Sequence, residues 1–177
     1  ILNQFRSIDE HGQITNIVYM GMGEPFDNIT EVLKSLEILT ANWGYALSPK
    51  RITVSTIGIL SGIAQFLQKS NCHLAISLHN PFAEQRAQLM PVEKKYNITH
   101  VIKLLKQFDF GLQRRLSFEY IMFKDVNDTP EHVKGLVKLL HGLRCRVNLI
   151  KFHAIPGATL SGTTDSTMQQ FKDALNA

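Results

Sequence analysis

Five times along the chain, a short run of apolar and β-branched residues gives way to a stretch with helical periodicity. The runs are Asn16–Met20, Arg51–Ser55, His73–Leu78, Arg115–Met122 and Arg146–Lys151. β-branched residues suit a pleated surface, and runs this short bounded by Gly, Pro or Asn read as strands. Alternation of strand and helix predicts an α/β protein, with parallel strands joined by right-handed crossovers. It leaves open whether the sheet is doubly wound or part of a (β/α) barrel. No motif repeats, so no solenoid is indicated.

The helical stretches carry their own signals. Asn28 with Glu31 forms a candidate capping box, followed by an apolar stripe at Val32, Leu33, Leu36 and Leu39. Ile59–Leu67 reads as a short helix, and Pro81–Leu89 as a turn or short helix. Met90–Tyr96 reads as a loop. Asn97 caps a stretch with Val101, Leu104, Leu105 and Phe108 at i, i+3, i+4 and i+7. Thr129 and Pro130 suit the cap and first position of a helix reaching Leu140. Asp165 or Ser166 caps a last helix packed through Met168, Phe171 and Leu175.

At 177 residues with 44% apolar content, the chain has enough material for one domain with a sizeable core. No apolar run approaches the ~20 residues that span a bilayer, and no secretory signal opens the sequence, so no membrane partner is expected. Net charge is +4 with a pI near 9.1, a mild surplus compatible with a polyanionic partner. Cys72 and Cys145 read as buried free thiols, not as a disulfide framework or a zinc site.

The ends of the strands concentrate the polar chemistry. In NIVYMGMGEP, the apolar run stops at Gly21 and Gly23, then Glu24, then Pro25. Glycine lets the backbone turn sharply and lets a ligand approach it, and Pro25 cannot extend a central ladder. Ser55, Ser77, His79 and His153 stand at or just past the later strand ends. Parallel strands would gather these ends on one rim, the edge where α/β proteins bind ligands. Hydroxyl and imidazole donors suit a carboxylate; Glu24 and backbone carbonyls suit an ammonium. Each residue alone reads as a cap or turn former; their coincidence at successive strand ends points to a zwitterionic ligand.

GMGEP resembles the motif of that form in radical S-adenosylmethionine (SAM) enzymes. With TVST, ISLHNP, LMPVEKKYN, FEYIMFKDVNDT and VNLIKFHAIPG in order, the chain from about Asn16 onward is similar to the RlmN-type RNA methyltransferases. That resemblance implies a partial (β/α) barrel of the radical SAM type, about five βα units with the first unit missing, in a single domain over residues 1–177. It implies that Gly23, Glu24, Ser55, Ser77, Leu78 and His79 bind SAM, with His153 where the family usually has Asn. It implies SAM-dependent radical methylation of adenine carbon-2 in ribosomal and transfer RNA through a methylated cysteine, in the cytoplasm, with an electron donor for the cluster.

The family's CxxxCxxC ligands for a [4Fe–4S] cluster have no counterpart here, and Cys72 and Cys145 cannot replace them. A chain beginning with Ile1 is expected to be a piece of a longer protein. The N-terminal domain, cluster segment and C-terminal cysteine are expected outside it, and these 177 residues are expected to be inert alone. Arg86, Lys94, Lys95, Arg114 and Arg115 are the candidate RNA contacts. Asn127 and Asp128 read as turn and capping residues. The competing readings are another radical SAM enzyme, such as a glycyl-radical activase, and a non-catalytic α/β binding module.

Overall fold

A computed structural model describes residues 1–8, 11–111, 113–154 and 156–177. Five strands, β1 (Ile17–Tyr19), β2 (Ile52–Thr56), β3 (His73–Ser77), β4 (Leu116–Met122) and β5 (Arg146–Lys151), form one sheet in the order β1-β2-β3-β4-β5. Every pairing is parallel. Among the described residues, seven α-helices accompany them: α1 (Leu2–Arg6), α2 (Ile29–Thr40), α3 (Leu60–Lys69), α4 (Ala83–Leu89), α5 (Ile98–Leu105), α6 (Pro130–Leu140) and α7 (Asp165–Asn176).

The strand order settles what alternation left open. A doubly wound sheet reverses direction partway, which sends helices to both faces. Here each strand lies beside its predecessor without reversal. Right-handed crossovers then place every connecting helix on the same face. That is the winding of a (β/α) barrel, and five strands make an open part of one.

Register shows the two faces. Partners in a parallel ladder share a face. One face carries Ile52, Val54, Leu74, Ile76, Leu116, Phe118, Tyr120 and Met122, all in the buried core. The other carries Thr53, Ser55, His73, Ser77, Ser117, Glu119, Arg146 and Asn148. Burying the first set against α2, α3, α5, α6 and α7 drives folding at ~25 cal/mol per Å² of apolar surface. The second set lines the concave side. Val18 and Ile150, on that same face of β1 and β5, are exposed at its two edges.

Most predicted elements are found, with local differences. β1 is shorter than the predicted Asn16–Met20, and α3 starts and ends later than Ile59–Leu67. Asn97 does cap α5, accepting from Thr99 N–H at 2.9 Å. The Asn28–Glu31 capping box does not form; Asn28 makes no side-chain cap bond, and Glu31 pairs with Lys34 at 2.7 Å. The last helix is capped by Thr164, not by Asp165 or Ser166. The Met90–Tyr96 stretch contains a 3-10 turn, Pro91–Lys94. Cys72 is buried and Cys145 half-buried, and burial pushes both thiols up in pKa. Among the described residues, no helix is long and apolar enough to cross a membrane.

One glycine is dictated by packing. A Cβ on Gly62 in α3 would lie 2.5 Å from Phe26 Cβ and 2.7 Å from its Cγ. Gly62→Ala would gain about 1 kcal/mol of helix propensity but must displace a buried ring. A net loss of about 1–2 kcal/mol is expected in a urea titration. An unchanged midpoint would show that Phe26 has room to move.

Candidate functional site

The carboxyl ends of β1 to β4 are tied together by four side chains, each receiving or supplying backbone hydrogen bonds. Free N–H and C=O groups at strand ends must find partners or be solvated. Glu24 follows β1. Its Oε1 accepts from Phe26 N–H at 3.0 Å, and its Oε2 from Ile57 N–H at 2.8 Å, just beyond β2. The carboxylate therefore holds the first strand end to the second.

Arg86, in α4, holds the second strand end to the third. Its Nε donates to Leu78 O at 3.0 Å, and one terminal nitrogen donates to Ser77 O at 2.8 Å and Ile57 O at 3.1 Å. The other terminal nitrogen pairs with Glu93. Glu93 also accepts from Ile98 N–H at 3.0 Å. Arg86 is 0% exposed. The expectation that it contacts RNA phosphates is therefore corrected: its guanidinium makes four hydrogen bonds inside the fold, three to carbonyls and one to the Glu93 carboxylate.

His79 and Asn127 join the third strand end to the fourth. His79 has φ 56°, the left-handed region. Its Nδ1 accepts from Ile121 N–H at 3.1 Å, and its own N–H donates to Glu119 O at 3.3 Å. Accepting at Nδ1 puts the proton on Nε2. Burial, and then the nearby Arg86 charge, lowers the His79 pKa to about 4. The ring is thus a neutral imidazole with an Nε2–H donor that no described residue accepts.

Asn127 is wholly buried. Its amide nitrogen donates to His79 O at 2.6 Å and Ile121 O at 2.7 Å, while its oxygen accepts from Phe123 N–H at 2.7 Å. Tyr120 O–H donates to its carbonyl at 2.7 Å. Asn127 lies in a turn as expected, but its side chain clamps two strands and does not cap α6, whose N-cap is Thr129. Asp128 accepts from Asp125 N–H at 2.9 Å and from Thr163 O–H at 2.7 Å, fastening the loop after β5.

Around this clasped edge lie groups with spare bonding capacity. Ser55 and Ser77 point to the concave face, and their hydroxyls have no partner among the described residues. Gly21 and Gly23 have φ of 129° and 90°, and a Cβ built on either meets open space. Backbone there is open to a ligand. Glu24 keeps unused lone pairs beside them. His153 is exposed beyond the end of β5. Leu78 is buried in the core, so only its backbone faces the rim.

Two residues of the concave face carried too little signal to be singled out as site residues. Glu119 is 8% exposed and accepts from Asn148 amide N–H at 2.7 Å and Ser117 O–H at 3.2 Å. No cation pairs with it among the described residues. Ser77, Glu119 and Asn148 lie in one row by register. A carboxylate alternating with apolar residues in LSFEYIM was the available clue.

The other cation candidates separate. Lys94 and Lys95 are exposed beside Glu93, near the rim, with Lys95 5.2 Å from the Tyr96 ring centre. Arg114 and Arg115 precede β4, at the opposite end of the sheet. Among the described residues, no three His, Cys, Asp or Glu side chains are grouped to hold a metal ion.

No family model matches the chain. Over 175 residues, 99% of this chain, it is 58% identical to a protein of Bacteroides thetaiotaomicron named probable dual-specificity RNA methyltransferase RlmN, covering 51% of it. It is 43% identical over 175 residues to the dual-specificity RNA methyltransferase RlmN of Nautilia profundicola, covering 49% of that protein. The chain thus spans about half the length of the curated relatives it matches. Its fold is similar to a radical SAM methyltransferase from Sphaerobacter thermophilus, with a TM-score of 0.89 and 34% identity over 99% of this chain and 52% of that one. A domain of a pyruvate-formate lyase-activating enzyme from Bacteroides vulgatus shares the fold alone, with a TM-score of 0.68 at 14% identity over 92% of this chain and 94% of that one.

Proposed function

We propose, given that this chain is a homologue of about half of each RlmN-named relative, that it forms the SAM-binding part of a radical SAM RNA methyltransferase. The substrate would be carbon-2 of an adenine in ribosomal and transfer RNA, in the cytoplasm, and the methyl group would pass through a methylated cysteine. The observation that carries the reading is the 58% identity across 99% of the chain, a span that includes the whole strand-end rim.

The rim suits the amino-acid end of SAM. Ser55 and Ser77 hydroxyls and the His79 Nε2–H are donors for its carboxylate. The open backbone at Gly21 and Gly23, with the spare lone pairs of Glu24, suits its ammonium. His153, with a donor and an acceptor, can serve in place of the amide usual in the family. Bound there and reduced through an iron–sulfur cluster, SAM would supply the methyl group and the radical chemistry. The residues present do not fit that cluster: the chain has two cysteines, Cys72 and Cys145, each just before a strand, at the end away from the rim. The cluster ligands and the electron donor therefore come from outside these 177 residues, and the chain alone binds SAM without methylating RNA.

Calorimetric titration with SAM tests this directly. Ser55→Ala and Ser77→Ala should each weaken binding about fivefold, the worth of roughly 1 kcal/mol per hydrogen bond. Unaltered affinity in both would remove the rim from SAM recognition. Methyl transfer to adenine-containing RNA by this chain alone would overturn its assignment as a binding part.

A further inference from the structure

The amino ends of the strands form a second concentration of charge, opposite the rim. A cleft of about 340 Å³ is lined there by Lys50, Arg114, Arg115, Arg144 and Arg146, with His73 at its wall. Among the described residues no Asp or Glu lines it, and Asp109 lies just outside, its carboxylate beside Gly111 of the wall. Arg114 is held largely by the fold: its guanidinium donates to Ser70 O at the end of α3 and to Asn71 Oδ1 at 3.3 Å, while its buried Nε has no partner among the described residues. The other four cations are exposed and have no carboxylate partner among the described residues.

The arrangement is wide as well as basic. Lys50 precedes β2, Arg115 precedes β4, and Arg144 and Arg146 stand before and at the start of β5. From β2 to β5 is three strand spacings, about 14 Å. A single phosphate would engage one or two of these cations; a row of phosphates would engage them all. Three of the four are arginines, whose planar fork matches phosphate oxygens in pairs.

His73 registers the field. Its Nδ1 accepts from Arg115 N–H at 2.9 Å. Its pKa is lowered by burial first, and then by the charges of Arg115, Lys50 and Arg146, against an opposing hydrogen bond to the Lys50 backbone. No carboxylate contributes to it.

We infer that this amino-end cleft is a second RNA-backbone contact surface, holding phosphates of the substrate at the end of the sheet away from the reaction rim. The inference rests on the RNA methyltransferase reading for its choice of polyanion. Phosphate contacts position an RNA without reading its bases. A polynucleotide, unlike a small ligand, is long enough to reach both ends of the strands at once.

The test is fluorescence anisotropy of the 177-residue chain with a labelled RNA hairpin bearing adenines in its loop, from 50 to 200 mM salt. Arg144→Ala/Arg146→Ala and Lys50→Ala/Arg115→Ala should each lower affinity on the order of tenfold at the lowest salt. The slope of log affinity against log salt should become shallower by about 1.4, near 0.7 for each lost contact to single-stranded phosphate. All four side chains are exposed, and circular dichroism should show the fold intact. Unchanged affinity and slope in both variants would overturn the proposal. So would a loss confined to Lys94→Ala/Lys95→Ala, or tight binding of an acidic peptide with none of the RNA. Failure here with SAM binding still sensitive to Ser55→Ala and Ser77→Ala leaves the reading of the rim standing. Loss of that sensitivity with the salt effects intact does the reverse.

Discussion

Replacing Arg86 with methionine should lower the free energy of unfolding by about 3–5 kcal/mol, the usual cost of breaking a buried ion pair from one side. Methionine matches the aliphatic stem but leaves Ser77 O, Leu78 O and Ile57 O without the donors they have now. It also leaves the Glu93 carboxylate buried with only the Ile98 N–H against its charge. Arg86→Lys should fall between, because one ammonium cannot reach three carbonyls and a carboxylate on different elements. The double variant Arg86→Met/Glu93→Gln removes the stranded charge while keeping an acceptor for Ile98. It should recover about 1–2 kcal/mol relative to Arg86→Met, a coupling expected between contacting groups. Urea titrations at constant m-value measure all three. A loss below about 1 kcal/mol for Arg86→Met would mean that water replaces the guanidinium easily, and that the strand ends are not held by it.

Lowering the pH from 7 to 4.5 should destabilise the protein, in part through His79. In the unfolded chain this imidazole takes a proton at about its ordinary value of 6.5; in the fold it stays neutral until about 4. Between those values the unfolded state binds more protons, so stability falls as pH falls. The contribution is intact above 6.5 and is lost by about 4. At 1.36 kcal/mol per pH unit, the full window is worth about 3 kcal/mol. His73 and His132 also have lowered pKa values, chiefly through burial, and push in the same direction. The His79 share is isolated by His79→Asn, since Asn tolerates the left-handed backbone there. The stability gap between wild type and variant should shrink by about 2–3 kcal/mol from pH 7 to 4.5. A gap independent of pH would show that His79 is already charged or freely solvated in the fold.

These two residues illustrate what spacing could and could not reveal. His79 follows a strand in the sequence, and in the fold it stands at the strand-end rim. Its role as a neutral donor, with Nδ1 already taken by Ile121, needed the neighbouring strand. Arg86, a candidate RNA contact, sits in a polar helical stretch, AEQRAQL. Nothing local distinguishes an arginine facing water from one turned in against the strand ends. Its partners Ile57, Ser77 and Glu93 lie 29, 9 and 7 residues away.

Asn127 and Glu119 show the same limit from the other side. Asn127 stands in a VNDT stretch that any turn rule would claim, and its amide reaches the carbonyl of His79, 48 residues away. Glu119 alternates with apolar neighbours as a concave-face residue should, but its bond to Asn148 depends on the register of β4 with β5.

What the chain's residues determined by themselves was periodicity: five strands, the helices between them, and polar residues gathered where the strands stop. Those follow from local conformational preference and from which side chains avoid water. Only the folded sheet decided the unreversed strand order, the clasping of the rim by Glu24, Arg86, His79 and Asn127, and the meeting of Lys50, Arg115, Arg144 and Arg146 at the far end. Backbone groups and charges distant in sequence acquire partners only when register and crossover handedness bring them within a few ångströms, and no local pattern encodes that distance.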